Sequence, residues 1–412
     1  MHLPSFVPQT LRHREFRLYL AGVALTQIGT NGTFAAMLYH VYALTGSTVQ
    51  VGLVGAGRGI ATLLLSPLGG HYADRVDRKR LLQLSQGFSM VVSLALAGVT
   101  YAGAVRTWHI ILASLLTSAG AAFDGPARKA IVPAMVPRGE LVQAVALVNP
   151  TNQVGMLIGP GLSGVLIAVG GPGLMYLLDG VTYVGLIAIL AILTVPPMEA
   201  REGQALNLWG SLAEGVTYVR ERPVIYHLMG LDLSQTLFAA YRVVLPALAV
   251  DVLQVGPTGY GALSAAVPAG ALLGGVIVYR LASTSLQEGH TVLMTTALFG
   301  VAAIALAQTD SFLIAMACAV ALGVFDAIGA TIRHAAVLIE TPDQLRGRVN
   351  ALYSMAARGG PAFGELNIGW VSGFLGATLA LTVGGFVPII YAGVIALSSQ
   401  NIREYRTTEP VA

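Results

Sequence analysis

Three carboxyl side chains of this sequence stand inside long apolar stretches. They are Asp179, Asp232 and Glu365. A charged side chain at the centre of a lipid bilayer costs at least ~2.5 kcal/mol, and such residues commonly handle protons, ions or substrates. A carboxyl that alternates between an apolar environment and a nearby arginine would bind and release a proton. We therefore predict that these three residues are candidates for proton coupling.

Three arginines share this apolar setting, and each has one of the acids as a possible partner. Asp232, Gln235 and Arg242 are separated by three and seven positions, which places them on one stripe of a helix. Such a set can line a substrate cavity, or it can lock neighbouring helices together through fixed salt bridges. The pairs of the second interpretation are Arg58 with Asp179, Arg242 with Asp232, and Arg358 with Glu365.

The other reactive residue types form no recognisable catalytic or metal site in the sequence. The eight histidines are scattered, and Cys318 is the one cysteine. No spacing suggests a zinc site, a catalytic triad or a phosphate-binding loop. We expect no enzymatic activity, no metal and no cofactor, so active transport would have to draw on an ion gradient.

The elements that position these residues are indicated by composition. Hydrophobic residues make up 55% of the 412 positions and charged residues only 10%, whereas about a quarter of a soluble domain is charged. Only helices and closed barrels satisfy their backbone within a membrane, and the apolar runs lack the two-residue alternation of a barrel. The sequence predicts an all-α integral membrane protein. Its twelve predicted spans are 16–42, 49–72, 81–104, 108–127, 141–169, 173–196, 223–250, 258–281, 290–308, 311–333, 346–373 and 376–399.

The basic residues test this layout of spans. Nineteen of the 23 lysines and arginines fall on one side of the membrane, Arg333 among them, and Arg106 alone falls on the other. Cytoplasmic loops carry an excess of basic residues, so both termini are predicted to be cytoplasmic. The net charge of +3 therefore reflects orientation in the membrane and does not indicate nucleic-acid binding.

The chain repeats itself over two halves. Phe123-Asp124 and Phe325-Asp326 end the fourth and tenth spans, and Phe34-Ala35-Ala36 is echoed by Phe238-Ala239-Ala240. Two pseudo-symmetric six-helix halves predict a substrate site near the middle of the membrane. We expect the two aspartates to bind loop arginines or helix ends rather than substrate. The predicted organisation is an N-terminal half, 1–196, a cytoplasmic linker, 197–222, and a C-terminal half, 223–412.

The loop after the second span resembles the signature loop of the major facilitator superfamily. It has a glycine, three residues, then Asp74-Arg75 and a basic run. The resemblance implies a cytoplasmic gate in which Asp74 lies at the start of the eleventh helix and pairs with a loop arginine. A basic loop that only sets orientation is the alternative. The predicted gate residues are Gly69, Gly70, Asp74, Arg75, Arg78, Lys79 and Arg80.

The fifth span carries a run similar to the antiporter motif of the same superfamily. Its glycines and proline are Gly155, Gly159, Pro160 and Gly164, and Ser163 replaces one glycine of the motif. Small residues also let any two membrane helices pack closely, so ordinary packing is the alternative interpretation. As a motif, the run would favour export over uptake.

Further stretches resemble the twelve-helix branch that includes siderophore, macrolide and multidrug exporters of bacteria. They lie at 16–20, 44–47 and 346–349. Two charged residues common in such proteins are missing, because Thr30-Asn31 stand where an acid is frequent and 114–120 contains no arginine. Proton coupling would therefore use other groups. The resemblance implies a cavity lined by Gln27, Asn31, Arg58, Asn149, Asn152, Asp232, Gln235, Arg242, Tyr353 and Arg358.

These features together predict a secondary active transporter of the major facilitator fold. We expect proton-coupled efflux of amphipathic small molecules, drugs or siderophore-like compounds, by alternating access. An uptake or facilitative carrier for a polar solute and a lysophospholipid flippase remain alternatives. A membrane-embedded enzyme or receptor has no reactive constellation to support it. The expected partners of a monomeric chain are the substrate, protons and the lipid bilayer, and the resemblance implies a bacterial cytoplasmic membrane.

Overall fold

The computed structural model describes residues 9–193, 208–281 and 287–406. Within these ranges the chain is almost entirely helical and forms no β-strand. An α-helix pairs its backbone amides and carbonyls within one segment, which is what an apolar segment needs in a bilayer. The prediction of an all-α membrane protein is confirmed.

Six long helices and one shorter helix precede residue 222. They are α1 (Arg14–Thr45), α2 (Thr48–Arg75), α3 (Arg78–Tyr101), α4 (Thr107–Ile131), α5 (Leu141–Gly170), α6 (Pro172–Ile192) and α7 (Leu208–Glu221). The remaining helices are α8 (Pro223–Phe238), α9 (Leu245–Ala247), α10 (Gly256–Leu281), α11 (Glu288–Gln308), α12 (Phe312–Ile339), α13 (Asp343–Leu375), α14 (Ala377–Ser398) and α15 (Gln400–Arg403).

Ten segments of the described residues are long and apolar enough to cross a membrane. One of them combines α8 and α9 into the span Pro223–Val252. The helices α1 and α13 are 32 and 33 residues long and contain more polar and charged side chains. With these two helices the chain has the twelve spans that the sequence predicts.

The span that contains α8 is interrupted in its middle. Helix α8 ends at Phe238, and a 3₁₀ turn (Tyr241–Val243) and a π-helical turn (Leu248–Val252) flank α9. Pro246 lies at this break, and proline cannot donate the hydrogen bond that would continue a regular helix. Irregular backbone is tolerated at membrane depth where it lines a cavity, which is the case for this break.

Two helices occupy stretches that were predicted to be loops. Helix α7 lies in the predicted linker, whose residues 197–207 fall outside the described ones. It is amphipathic: Val219 is buried, Glu214 is exposed, and the Tyr218 hydroxyl donates to the carbonyl of Glu340 at 2.9 Å. Helix α12 continues to Ile339, six residues past its predicted end, so Arg333 lies within a helix. The predicted end of the tenth span, at 333, is therefore six residues too early.

The chain divides into two compact units. The first contains Met1–Thr45 and Gly57–Gln204, and the second contains Gly46–Ala56 and Ala205–Ala412. In the first unit α1 packs against α5 and α6, and α3 packs against α4 and α6. In the second unit α10 packs against α12, α11 against α14, and α8 against α13. The domain boundaries given above remain predictions.

Glycines allow the closest of these helix contacts. A Cβ atom at Gly159 of α5 would lie 2.7 Å from the carbonyl oxygen of Ile28 in α1. In the second unit, a Cβ atom at Gly364 of α13 would overlap the carbonyl oxygen of Thr236 in α8. Small residues at such crossings let helix backbones touch, so these two helix pairs form rigid supports for the side chains described next.

Candidate functional site

A cavity of about 110 Å³ opens among α1, α2, α4 and α6 of the first unit. Its walls are rich in hydroxyl groups and contain one arginine and one carboxyl. The lining residues are Thr30, Thr33, Phe34, Met37, Arg58, Thr62, Ser114, Thr117, Ser118, Ala121, Asp179 and Tyr183. This combination can hydrogen-bond a polar group and pack against an apolar one.

Arg58 of α2 lies in the wall of this first cavity. The centre of its guanidinium group is 4.2 Å from the centroid of the Phe34 ring. A cation over an aromatic face is stabilised electrostatically, and the effect grows when water is excluded. The Thr62 hydroxyl donates to the backbone carbonyl of Arg58 at 2.9 Å, within one turn of α2 that forms part of the cavity wall. The pair of Arg58 and Phe34 therefore offers a positive charge next to an apolar ring.

Asp179 on α6 is the carboxyl of the first cavity, and it is only 1% exposed. Its Oδ2 atom accepts a hydrogen bond from the Ser93 hydroxyl at 2.8 Å. Its Oδ1 atom has no hydrogen-bond partner of good geometry among the described residues, although Thr33 lies beside the carboxyl. The hypothesis of a fixed salt bridge between Arg58 and Asp179 is wrong, since a hydroxyl and not a cation holds this acid.

A second cavity, of about 90 Å³, lies in the second unit beside the interrupted span. The break in that span places two of its side chains, Tyr241 and Arg242, in the cavity wall. The lining residues are Gln235, Thr236, Ala239, Ala240, Tyr241, Arg242, Phe299, Asp326, Pro361 and Glu365. Two carboxyls and one arginine therefore face the same small space.

Arg242 is the cation of the second cavity. The acids that influence it most are Glu365 and Asp326, and its guanidinium carbon is 5.9 Å from the centroid of the Tyr241 ring. Glu365 is 4% exposed and packs against Gly55, a residue of the second unit, where a Cβ atom would overlap its carboxyl group. The structure thus brings Arg242 towards Glu365. The hypothesis that Arg242 pairs with Asp232 is wrong.

The partner of Asp232 is Arg333, which the sequence analysis did not consider as a membrane residue. The Arg333 Nη2 atom lies 2.8 Å from Asp232 Oδ1 and donates to Gln235 Oε1 at 3.3 Å. Arg333 is completely buried. The signal for this pair was present in the sequence, because Arg333 is followed by an apolar run that prolongs α12 by six residues.

The first unit contains a related cluster around Asp124. Arg128 Nε lies 2.5 Å from Asp124 Oδ2, and the Gln86 amide donates to Asp124 Oδ1 at 2.7 Å. Arg128 also donates to the Thr26 hydroxyl on α1 at 3.2 Å. Asp124 therefore binds an arginine of its own helix. Its counterpart Asp326 lies 3.8 Å from Arg333 of its own helix and also faces the second cavity.

Several predicted cavity residues make contacts between helices. The Gln27 amide donates to Asn152 Oδ1 at 2.8 Å and thereby joins α1 to α5, and Asn31 donates to the carbonyl of Gln27 at 2.8 Å. Tyr353 is buried in an apolar cluster, with its ring centroid 5.0 Å from that of His334. The side chains of Asn149 and Arg358 lie outside the described residues.

The predicted gate loop is shorter than expected, because α2 continues to Arg75. Asp77 caps α3 by accepting hydrogen bonds from the amides of Lys79 and Arg80 at 2.8 and 3.2 Å. Lys79 Nζ donates to the carbonyl of Leu193 at the end of α6, at 2.7 Å. Gly70 and the Asp74 side chain lie outside the described residues, so the gate remains a prediction.

The glycines of the antiporter-like run pack α5 against α1. A Cβ atom at Gly155 would lie 2.5 Å from Gln27 Cβ, and one at Gly159 would lie 2.7 Å from the Gly32 amide. Pro160 and Gly164 are buried as well. Close packing is thus the direct role of this run.

Among the described residues, no three His, Cys, Asp or Glu side chains are grouped so that they could hold a metal ion.

Comparisons with known proteins agree with this geometry. A family model described as a transmembrane secretion effector matches residues 5–411. The enterobactin exporter EntS of Salmonella typhi is 28% identical over 403 residues, covering 97% of this chain and 96% of that protein. The corresponding exporter of Citrobacter koseri is 28% identical over 402 residues, with coverages of 97% and 95%.

Solved structures show the same fold at low identity. A bacterial homologue of the human lysosomal transporter Spinster, in an inward-facing and unoccupied conformation, has a TM-score of 0.73 at 14% identity, covering 96% of this chain and 99% of that one. A POT family transporter in complex with 5-aminolevulinic acid has a TM-score of 0.75 at 12% identity, with coverages of 94% and 96%. At these identities the similarity concerns the fold alone.

Proposed function

Because this chain belongs to the transmembrane secretion effector family of the major facilitator superfamily, we propose that it exports amphipathic small molecules in exchange for protons. The substrates are siderophore-like compounds or drugs, and transport proceeds by alternating access. The relatives named as enterobactin exporters support export of a siderophore-like compound. Such relatives also support a location in the inner membrane of a bacterium, as a multi-pass protein.

The observation that carries the proton coupling is a buried carboxyl at the wall of each cavity. Asp179 borders the first cavity and Glu365 borders the second. An ionised carboxylate loses its hydration in such places, and Asp179 is held by the Ser93 hydroxyl and not by a basic side chain. Each can therefore take up a proton when its cavity opens to the outside and release it when its surroundings change. Asp232 is the third candidate and differs because Arg333 holds it.

The two arginines at the cavities suit the polar end of an amphipathic substrate. Arg58 lies next to Phe34, and Arg242 lies in a cavity that also contains Phe299. A guanidinium group recognises oxygen acceptors through several fixed donors, while the rings accept apolar surface. We assign Gln27, Asn31, Asn152 and Tyr353 to positioning α1, α5 and α13. The chain works as a monomer with both termini in the cytoplasm, in keeping with its basic loops.

Neutral substitutions at the two cavity acids test the coupling. We expect Asp179→Asn and Glu365→Gln each to reduce enterobactin transport driven by an imposed pH gradient by at least tenfold, because an amide cannot carry the proton. Transport is measured in proteoliposomes of both orientations, which also reports the direction. The matched control is Asp310→Asn, an exposed acid just before α12, which should transport like the wild type. If both variants keep gradient-driven transport and its pH dependence, the coupling is disproved.

A charge reversal tests the proposed cytoplasmic gate. We expect Asp74→Arg to slow turnover about tenfold while the affinity for enterobactin changes less than twofold, since a gate residue controls cycling rather than binding. Asp77→Asn is the control, because asparagine also caps a helix and should preserve turnover. Equal turnover of the Asp74 variant and the control would remove the gate role.

A further inference from the structure

Arg333 lies between two carboxyls and is shared by them. Its Nη2 atom is 2.8 Å from Asp232 Oδ1 on α8 and 3.8 Å from Asp326 Oδ1 on its own helix α12. The contact with Asp232 is a charge-assisted hydrogen bond, whereas the contact with Asp326 is an ion pair that is too long for a hydrogen bond. Both carboxyls lie within 4.0 Å of the same nitrogen atom. One cation therefore serves two acids that are on different helices.

The guanidinium group has unused hydrogen-bonding capacity for this exchange. Among the described residues, its Nε and Nη1 atoms have no partner of good geometry. Gly329, one turn earlier on α12, leaves room beside it, since a Cβ atom there would lie 2.8 Å from Nη1. A buried donor without a partner costs free energy, so a second acceptor close by stabilises the alternative position.

The two acids differ in their access to the cavity. The Asp232 side chain is 9% exposed, whereas the Asp326 side chain is 51% exposed. Asp326 lines the second cavity together with Gln235, whose side-chain Oε1 atom already accepts a hydrogen bond from Arg333. A proton or a cationic group in the cavity can therefore reach Asp326 more readily than Asp232.

We infer that Arg333 is a positioning residue that relays the occupancy of the second cavity from Asp326 to Asp232. When Asp326 is ionised, it competes with Asp232 for the arginine and loosens the contact between α8 and α12. When Asp326 binds a proton, it no longer attracts the arginine, and Asp232 holds Arg333 alone. The same result follows when a cationic group occupies Asp326. The inference rests on the proposed proton coupling and adds its mechanical link.

Other polar and charged groups surround Arg333, Asp232 and Asp326 and influence their electrostatics. From α13, Tyr353 interacts with both Arg333 and Asp232. Arg242, after the break that follows α8, interacts with Asp326. From α14, the Tyr391 hydroxyl packs against Gly230, and from α11 the Thr295 hydroxyl lies next to Gly329. Because these groups are unchanged in the variants used below, differences between variants report on the shared arginine.

The relay is tested by infrared titration of the protonated carboxyl band in lipid nanodiscs, without substrate. In Asp232→Asn the arginine is left to Asp326 alone, so we expect the midpoint of the Asp326 band to fall by about one pH unit. The control Asp310→Asn should show the wild-type midpoint for the cluster.

Both outcomes of this titration are decisive. An Asp326 midpoint that shifts downward in Asp232→Asn supports a shared arginine, and a midpoint that coincides with the wild type overturns it. The double variant Asp232→Asn/Arg333→Met removes both members of the pair, so it remains foldable. Its Asp326 midpoint should be higher than that of Asp232→Asn, because the arginine is absent. Gradient-driven transport, measured separately, decides the proposed function: a chain without proton coupling fails that assay whatever the titration shows.

Discussion

Replacing Arg333 by methionine is expected to lower the free energy of unfolding by about 3–5 kcal/mol, because Asp232 is then left charged in a buried place without its partner. This arginine is fully buried and donates to both Asp232 and Gln235. Losing one member of a buried ion pair costs far more than losing both, since two neutral side chains of similar size need no compensation. The variant should also lose the transport proposed above.

The double variant Asp232→Asn/Arg333→Met separates stability from transport. We expect it to recover most of the lost stability while transport stays impaired, because the helix contact survives and the shared charge does not. Stability is measured as the midpoint of thermal unfolding in nanodiscs. Arg348→Met provides the surface control: Arg348 pairs with Glu214 at an exposed position, and such pairs contribute about 0–1 kcal/mol. Equal midpoints for the Arg333 and Arg348 variants would contradict the structural role of Arg333.

Gly364→Ala is expected to destabilise the second unit by about 3 kcal/mol, at the upper end of the usual cost of overpacking. The new methyl group would overlap the carbonyl oxygen of Thr236, a backbone atom that cannot move aside alone. Helix α8 would have to separate from α13. That movement would also displace Gln235 and Thr236, which line the second cavity, so transport should fall together with stability.

The matched control for this substitution lies on the same helix. A Cβ atom at Gly347 of α13 meets no other atom within 4 Å. Since alanine is the better helix former, Gly347→Ala should leave stability unchanged or raise it by up to about 1 kcal/mol. Thermal unfolding and transport of the two variants are compared under the same conditions. A Gly364 variant that behaves like the Gly347 variant would show that the close contact between α8 and α13 is not required.

The interrupted span connects these two results with the cavity. Helix α8 contacts Arg333 on one side and Gly364 on another, and the helical span is interrupted directly after α8 ends. Shifts of α8 are therefore transmitted to Tyr241 and Arg242, which face the second cavity. This arrangement makes α8 the element through which a change at Asp326 can alter the shape of the cavity.

The fold could be predicted from the sequence because it depends on properties of single segments. Length and apolar content identify a spanning helix, and the distribution of arginine and lysine identifies its orientation. Arg58, Arg242 and Glu365 were predicted as membrane residues on this ground, and each borders a cavity in the structure. A charge within an apolar run needs a polar environment wherever the neighbouring helices lie.

Which side chains meet was decided only by the tertiary structure. Asp179 has a serine and not an arginine as its partner, and Asp232 pairs with an arginine that the sequence analysis placed at the cytoplasmic end of its span. Such pairing depends on the rotation and depth of two helices relative to each other, and helical periodicity reports neither. The sequence by itself thus predicted twelve spans and most of the charges within them, and the orientation of the spans stays a prediction. The packing of glycines at the helix crossings decided how those charges are shared, because it brings particular turns of neighbouring helices into contact.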